Sequence, residues 1–147
     1  MKNIIEGTAI RSVVLLKALL MAGALYFFAI AVAHMLGIKV PMLYIYFNVP
    51  SNAYQDRIIS FLSFGWSVFL FSAARDPEQN QPAVKAVIIA CLAALIGLHV
   101  INTVTDFKVL SPEIDPFVFR IETFGLSVYV AALMLFYFLA PRRYADQ

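Results

Sequence analysis

The chain reads as an all-α, polytopic membrane protein, a bundle of four transmembrane helices with an amphipathic N-terminal segment, forming one integral membrane domain over residues 1–147. Three observations carry that reading. Of 147 residues, 62% are apolar and only 14% are charged, where a water-soluble domain uses nearer half and a quarter. Mean hydropathy is +0.82. All seven prolines fall between or after long apolar runs, where a lost backbone donor and a broken helix cost least.

Against the ~20 residues that a helix needs to cross hydrocarbon, the apolar runs are residues 18–38, 58–74, 86–104 and 123–140. Flanking caps extend them to spans of about 18–38, 55–74, 84–105 and 120–140, with Ser51 and Asn52 placed to cap the second. Residues 1–17 mix Ile4, Ile5, Ile10, Val13 and Val14 with charges, the pattern of an interfacial helix leading into the first span. The small residues Ala31, Val32 and Ala33 before His34 resemble a leader cleavage site, but the basic arm is long and retention as a span is expected.

Lys2, Arg11, Lys17, Arg75, Lys85, Arg142 and Arg143 fall on one side of this topology, and Lys39, Arg57, Lys108 and Arg120 on the other. Because cytoplasmic loops concentrate Lys and Arg, both termini are expected in the cytoplasm, with the protein in a cell inner membrane. Asp76 to Pro82 is a solvated turn. The connection from Lys39 to Arg57 is different: Val40, Met42, Leu43, Tyr44, Ile45, Tyr46 and Phe47 run between Pro41 and Pro50. It is too short to span and too apolar for water, so an interfacial cap or a surface for another subunit is expected.

Ionisable groups in a span need partners or a task. His99, Asn102 and Asp106 are spaced i, i+3, i+7 on one predicted helix face. His34 and His99 lie ~6 and ~7.5 Å below the outer ends of their spans at 1.5 Å per residue. Arg57 and Glu122 open the second and fourth spans at that same end. The expectation is a layer of His34, Arg57, His99, Asn102, Asp106 and Glu122, with Arg57 paired to Glu122 or Asp106 and His99 bonded to Asn102 or a carbonyl. Two further readings are open for that layer. It could floor an outward-facing polar pocket that binds or converts a small hydrophobic ligand, or place His34 and His99 as ligands of a metal, a pigment or a b-type haem.

Other features point to packing. Cys91 is a buried filler without a disulfide partner. Ala90, Ala93, Ala94 and Gly97 would permit close helix approach. Phe61, Phe64, Trp66, Phe69 and Phe71 ring the second span as lipid or subunit contacts, and Ser60, Ser63 and Ser67 are expected to return their hydroxyls to the preceding turn. No phosphate-cradling loop, paired zinc motif or dinucleotide fingerprint is present. A net charge of +2 argues against nucleic acid as a partner, and four spans without repeats argue against a transporter.

From Arg57 onward the order of features resembles the BphX-like small four-helix bacterial membrane proteins and the DoxX-type proteins. The resemblance is carried by Arg57, Gly65, the turn Ala74-Arg75-Asp76-Pro77, the pair Asn102 and Asp106, and Glu122, and covers residues 57–140. It implies a compact membrane bundle, sometimes found beside redox or degradation systems. The expected role is a non-catalytic accessory or scaffold subunit that packs on other membrane subunits in the bilayer and holds lipid, quinone or pigment at its edge.

Overall fold

The computed structural model describes residues 2–44, 46 and 49–140, with residues 2–9 described by backbone alone. Ile45 and Phe47 of the apolar connection, Arg142 and Arg143 of the basic tail, and the side chains of Lys2, Ile4 and Ile5 lie outside that description. Helix α1 is Lys2–Leu36, α2 Ala53–Arg75, α3 Gln81–Val104, α4 Phe107–Leu110 and α5 Pro116–Leu139. No strand occurs among the described residues. Four stretches, Ile10–Leu36, Ala53–Arg75, Gln81–Val104 and Pro116–Leu139, are long and apolar enough to cross a membrane.

The N-terminal segment is helical, as expected of a stretch leading into the first apolar run, and continues into it without a break as the single helix α1. That helix stops two residues short of the predicted end at Gly37, which takes φ +66°. There the Gly37 N–H donates to the His34 carbonyl at 3.3 Å and the Ile38 N–H to the Ala33 carbonyl at 2.9 Å. This is the paired closure of a Schellman motif, and it favours glycine because other side chains crowd the backbone at positive φ.

The remaining boundaries are set by caps. Gln55 Oε1 accepts from the Asn52 N–H at 2.9 Å before α2, Pro82 stands in the first turn of α3, and Asp115 accepts from the Phe117 N–H at 3.0 Å before α5. Each satisfies, or dispenses with, a backbone donor that the first helical turn leaves without a partner.

Helix α1 packs along α2, and α5 packs on both α1 and α3, while α2 and α3 touch more lightly. At the end holding the 76–80 turn, Leu16, Leu20, Leu70, Ala73, Ala74, Val84, Val87, Ile88 and Leu133 form one buried cluster. At the opposite end Phe107, Ile114 and Phe119 form a second, smaller one. If lipid surrounds the bundle, these contacts act through close packing, since acyl chains are as apolar as leucine. The tightest approach is at Gly23, where a Cβ would stand 2.5 Å from the Tyr129 hydroxyl. That hydroxyl donates to the Leu19 carbonyl at 3.0 Å and so fastens α5 to α1.

Candidate functional site

One face of α2 carries Asp56, the buried Ser60, Ser63 and Ser67, and then the apolar Leu70 and Ala74, in a 4-3-4-3-4 spacing. That is the period at which one helix keeps facing an antiparallel neighbour. Ser60 Oγ donates to the Ala31 carbonyl and Ser67 Oγ to the Ala24 carbonyl, both at 2.8 Å. The expectation that these two hydroxyls turn back onto their own helix is therefore corrected. The small residues Ala24 and Ala31 bring the α1 backbone close enough for the hydroxyls to cross.

Asp56 opens this row and meets His34 of α1, with His34 Nδ1 at 3.1 Å from Asp56 Oδ1. Ser51 Oγ donates to the other carboxylate oxygen at 3.3 Å. His34 is buried, and the Tyr44 ring stacks on its imidazole with centroids 3.6 Å apart. The Tyr44 hydroxyl then donates to the Ala33 carbonyl at 3.2 Å. Burial and, secondarily, the Asp56 charge push the Tyr44 phenol above its ordinary range, which keeps it a hydrogen-bond donor.

The apolar connection does fold over this end of the bundle, in three steps. Met42, at φ 69°, receives a hydrogen bond from the Tyr26 hydroxyl on its carbonyl, and its N–H donates to Glu122 Oε1 at 3.2 Å. Tyr26 lies ten residues before Leu36, or ~15 Å of helix, so the connection turns back alongside α1. Backbone polar groups away from water need partners, and Tyr26 and Glu122 supply them for the Met42 carbonyl and N–H. Tyr44 is the second step. In the third, the Tyr46 hydroxyl donates to Asn102 Oδ1 at 3.2 Å, and Asn102 Nδ2 donates to Thr123 Oγ1 at 2.8 Å, joining α3 to α5. The Tyr46 ring stacks on Phe107 and meets the edge of Phe119, with centroids 5.4 and 4.8 Å away. Burial, and then the Glu122 charge, raise the Tyr46 phenol as well.

The six sequence-derived residues therefore do not form one mutually bonded layer. His34, Asn102 and Glu122 each occupy a different node of the connection. Arg57 is exposed and makes no ion pair with Glu122 or Asp106, because it is ~100° around α2 from Asp56. The expected pairing of His99 with Asn102 is also absent. The Asn102 amide is instead engaged by Tyr46 and Thr123, while the His99 side chain is exposed. Asp106 leaves the helical register altogether, since α3 ends at Val104, and caps α4 by accepting from the Lys108 N–H at 3.1 Å.

His34 and His99 share no contact, and the His34 ring is engaged by Tyr44 and Asp56. Among the described residues no three or more His, Cys, Asp or Glu side chains converge on a metal-sized site. Asp56, Tyr26 and Thr123 are not singled out by the sequence, and Tyr44 and Tyr46 only as part of the apolar connection. The row of small and polar residues from Asp56 to Ala74 was the signal that could have found the first. The tyrosines carried none beyond lying in an apolar run. Chemically, Asp56 orients the imidazole, but the nearby hydroxyl, Ser51, bonds to the carboxylate, and Ser60 and Ser67 are committed to α1 carbonyls. The arrangement positions a connection, with these serine hydroxyls bonded to the carboxylate or to carbonyls and not to the imidazole.

No family model, curated protein or solved structure matches the chain.

Proposed function

We propose that this protein is a non-catalytic accessory or scaffold subunit of a larger assembly in a bacterial inner membrane, with both termini cytoplasmic, as the excess of basic residues on that side suggests. The observation that carries this reading is the unequal coverage of the helices. The membrane-length windows of α3 and α5 are 17% and 11% buried within the chain, against 28% and 33% for α1 and α2. Ile89, Leu92, Ile96, Val100 and Val104 form a continuous exposed stripe on α3, and Phe117, Ile121, Phe124 and Val128 another on α5. Such faces suit the apolar helices of a neighbouring subunit or the acyl chains of the bilayer. The resemblance to BphX-like proteins is compatible with this role.

A photo-cross-linking residue at Ile96 or Phe124, introduced in the native membrane, should capture one defined membrane subunit, while the same residue at the buried Leu133 should not. Capture of lipid alone from both exposed positions would overturn the scaffold reading. A second reading, a pocket for a small hydrophobic molecule bearing a hydrogen-bond donor, has one supporting observation: Glu122 Oε2 is buried with no partner among the described residues. A compound found in organic extracts of the purified protein and lost in Glu122→Ala would favour it.

A further inference from the structure

The outer flank of the α1–α2 pair carries a groove of about 300 Å³, lined by Phe28, Val32, Met35, Leu36, Phe61 and Phe64 with Ala31 and Ser60 at its floor. The lining is apolar throughout, because the Ser60 hydroxyl at the floor is used up on the Ala31 carbonyl. From Phe28 to Leu36 the groove rises eight residues, or ~12 Å of helix, close to the depth of one leaflet in a ~30 Å hydrocarbon core.

Its upper end is basic. Arg57 stands at i relative to Ser60, Phe61 and Phe64 at i+3, i+4 and i+7, and so belongs to the α2 face that lines the groove. Helical side chains lean toward the N-terminus of their helix, which carries the Arg57 guanidinium toward the end where α1 stops and Lys39 follows. Both residues are exposed, and neither has a hydrogen bond or ion pair among the described residues. Arg57, on the α2 face that lines the groove, and Lys39, three residues beyond Leu36, the last α1 residue of its lining, together suit an anionic headgroup above an acyl chain in a groove of one-leaflet depth.

We propose that this groove binds one anionic phospholipid, with an acyl chain between Phe28, Val32, Phe61 and Phe64 and its phosphate held by Arg57 and Lys39. The proposal rests on the membrane reading above and is independent of the scaffold role. It uses a surface distinct from the exposed stripes of α3 and α5.

The test is native mass spectrometry of the full chain in mild detergent, titrated separately with dioleoyl-phosphatidylglycerol and dioleoyl-phosphatidylcholine. The first bound lipid should favour phosphatidylglycerol by about tenfold. Arg57→Gln with Lys39→Gln should abolish that preference, Arg57→Lys should retain it, and Val32→Trp, which fills the groove from an exposed position, should weaken binding of both lipids. Inorganic phosphate should not compete, which separates a lipid from a free anion. An unchanged preference in the double Gln variant, full binding by Val32→Trp, or displacement by phosphate alone would each overturn the site. So would efficient Val32→Cys cross-linking into a dimer in a Cys91→Ala background, which would mean that a second copy covers the groove. A chain that inserts into phosphatidylcholine vesicles without headgroup preference refutes this site alone. A chain that fails to insert refutes the membrane reading beneath it.

Discussion

Helices α1 and α2 are held by side chains that reach across to main-chain carbonyls or bury an imidazole against a carboxylate. Helices α3 and α5 meet through Asn102 and Thr123 at one end and apolar side chains at the other. The first pair forms a hairpin whose polar contacts specify its register. The second has little that fixes it from within and leaves most of its apolar surface uncovered. In an apolar solvent this difference matters more than apolar area does, because contact between greasy faces gains little over contact with lipid, whereas a hydrogen bond between helices has no aqueous competitor.

If that contrast is right, the largest loss of stability should come from His34→Ala, which leaves Asp56 largely buried without its main partner. A cost of about 3 kcal/mol is expected, read by unfolding in mixed micelles, with part recovered in the His34→Ala, Asp56→Ala double variant. A loss below about 1 kcal/mol would show that the imidazole–carboxylate pair does not hold the hairpin. Next in size is Gly23→Ala, whose methyl group would collide with the Tyr129 hydroxyl. A cost of about 2 kcal/mol is expected from overpacking, and less in a Tyr129→Phe background; equal costs in both backgrounds would place the strain elsewhere.

Ser60→Ala and Ser67→Ala should each cost about 1 kcal/mol, and Asn102→Ala a similar amount. The informative readout is where the effect appears. Disulfide trapping between α1 and α2 should respond to the serine variants, and trapping between α3 and α5 only to Asn102→Ala. The smallest effect should belong to His99→Ala, within about 0.5 kcal/mol, because its side chain is exposed. A Soret band in the purified protein that vanished in that variant would instead make His99 a haem ligand.

The four helices of membrane length were legible because length, hydropathy and the placement of proline and glycine act locally. Gly37 ends α1 by its own conformational freedom, and Asn52 and Asp115 cap by reaching only a few residues along the chain. The polar site was legible only in part. Reading His99, Asn102 and Asp106 as one face assumed a helix that runs through residue 106, but the chain leaves α3 after Val104. Choosing Arg57 over its neighbour Asp56 depended on which way α2 is rotated. A single span's hydropathy says little about that rotation when aromatic residues surround it on all sides.

By itself, the sequence determined that this polypeptide forms four helices long and apolar enough to cross a membrane, since apolar run length and the placement of proline, glycine and capping side chains act locally. Tertiary structure alone decided that Asp56 rather than Arg57 faces His34, that Ser60 and Ser67 cross to α1, and that Met42, Tyr44 and Tyr46 stitch the apolar connection to α1, α3, α4 and α5. Those choices rest on helix rotation and on a connection folding back across sequence separations of up to 80 residues. Only packed neighbours fix these quantities.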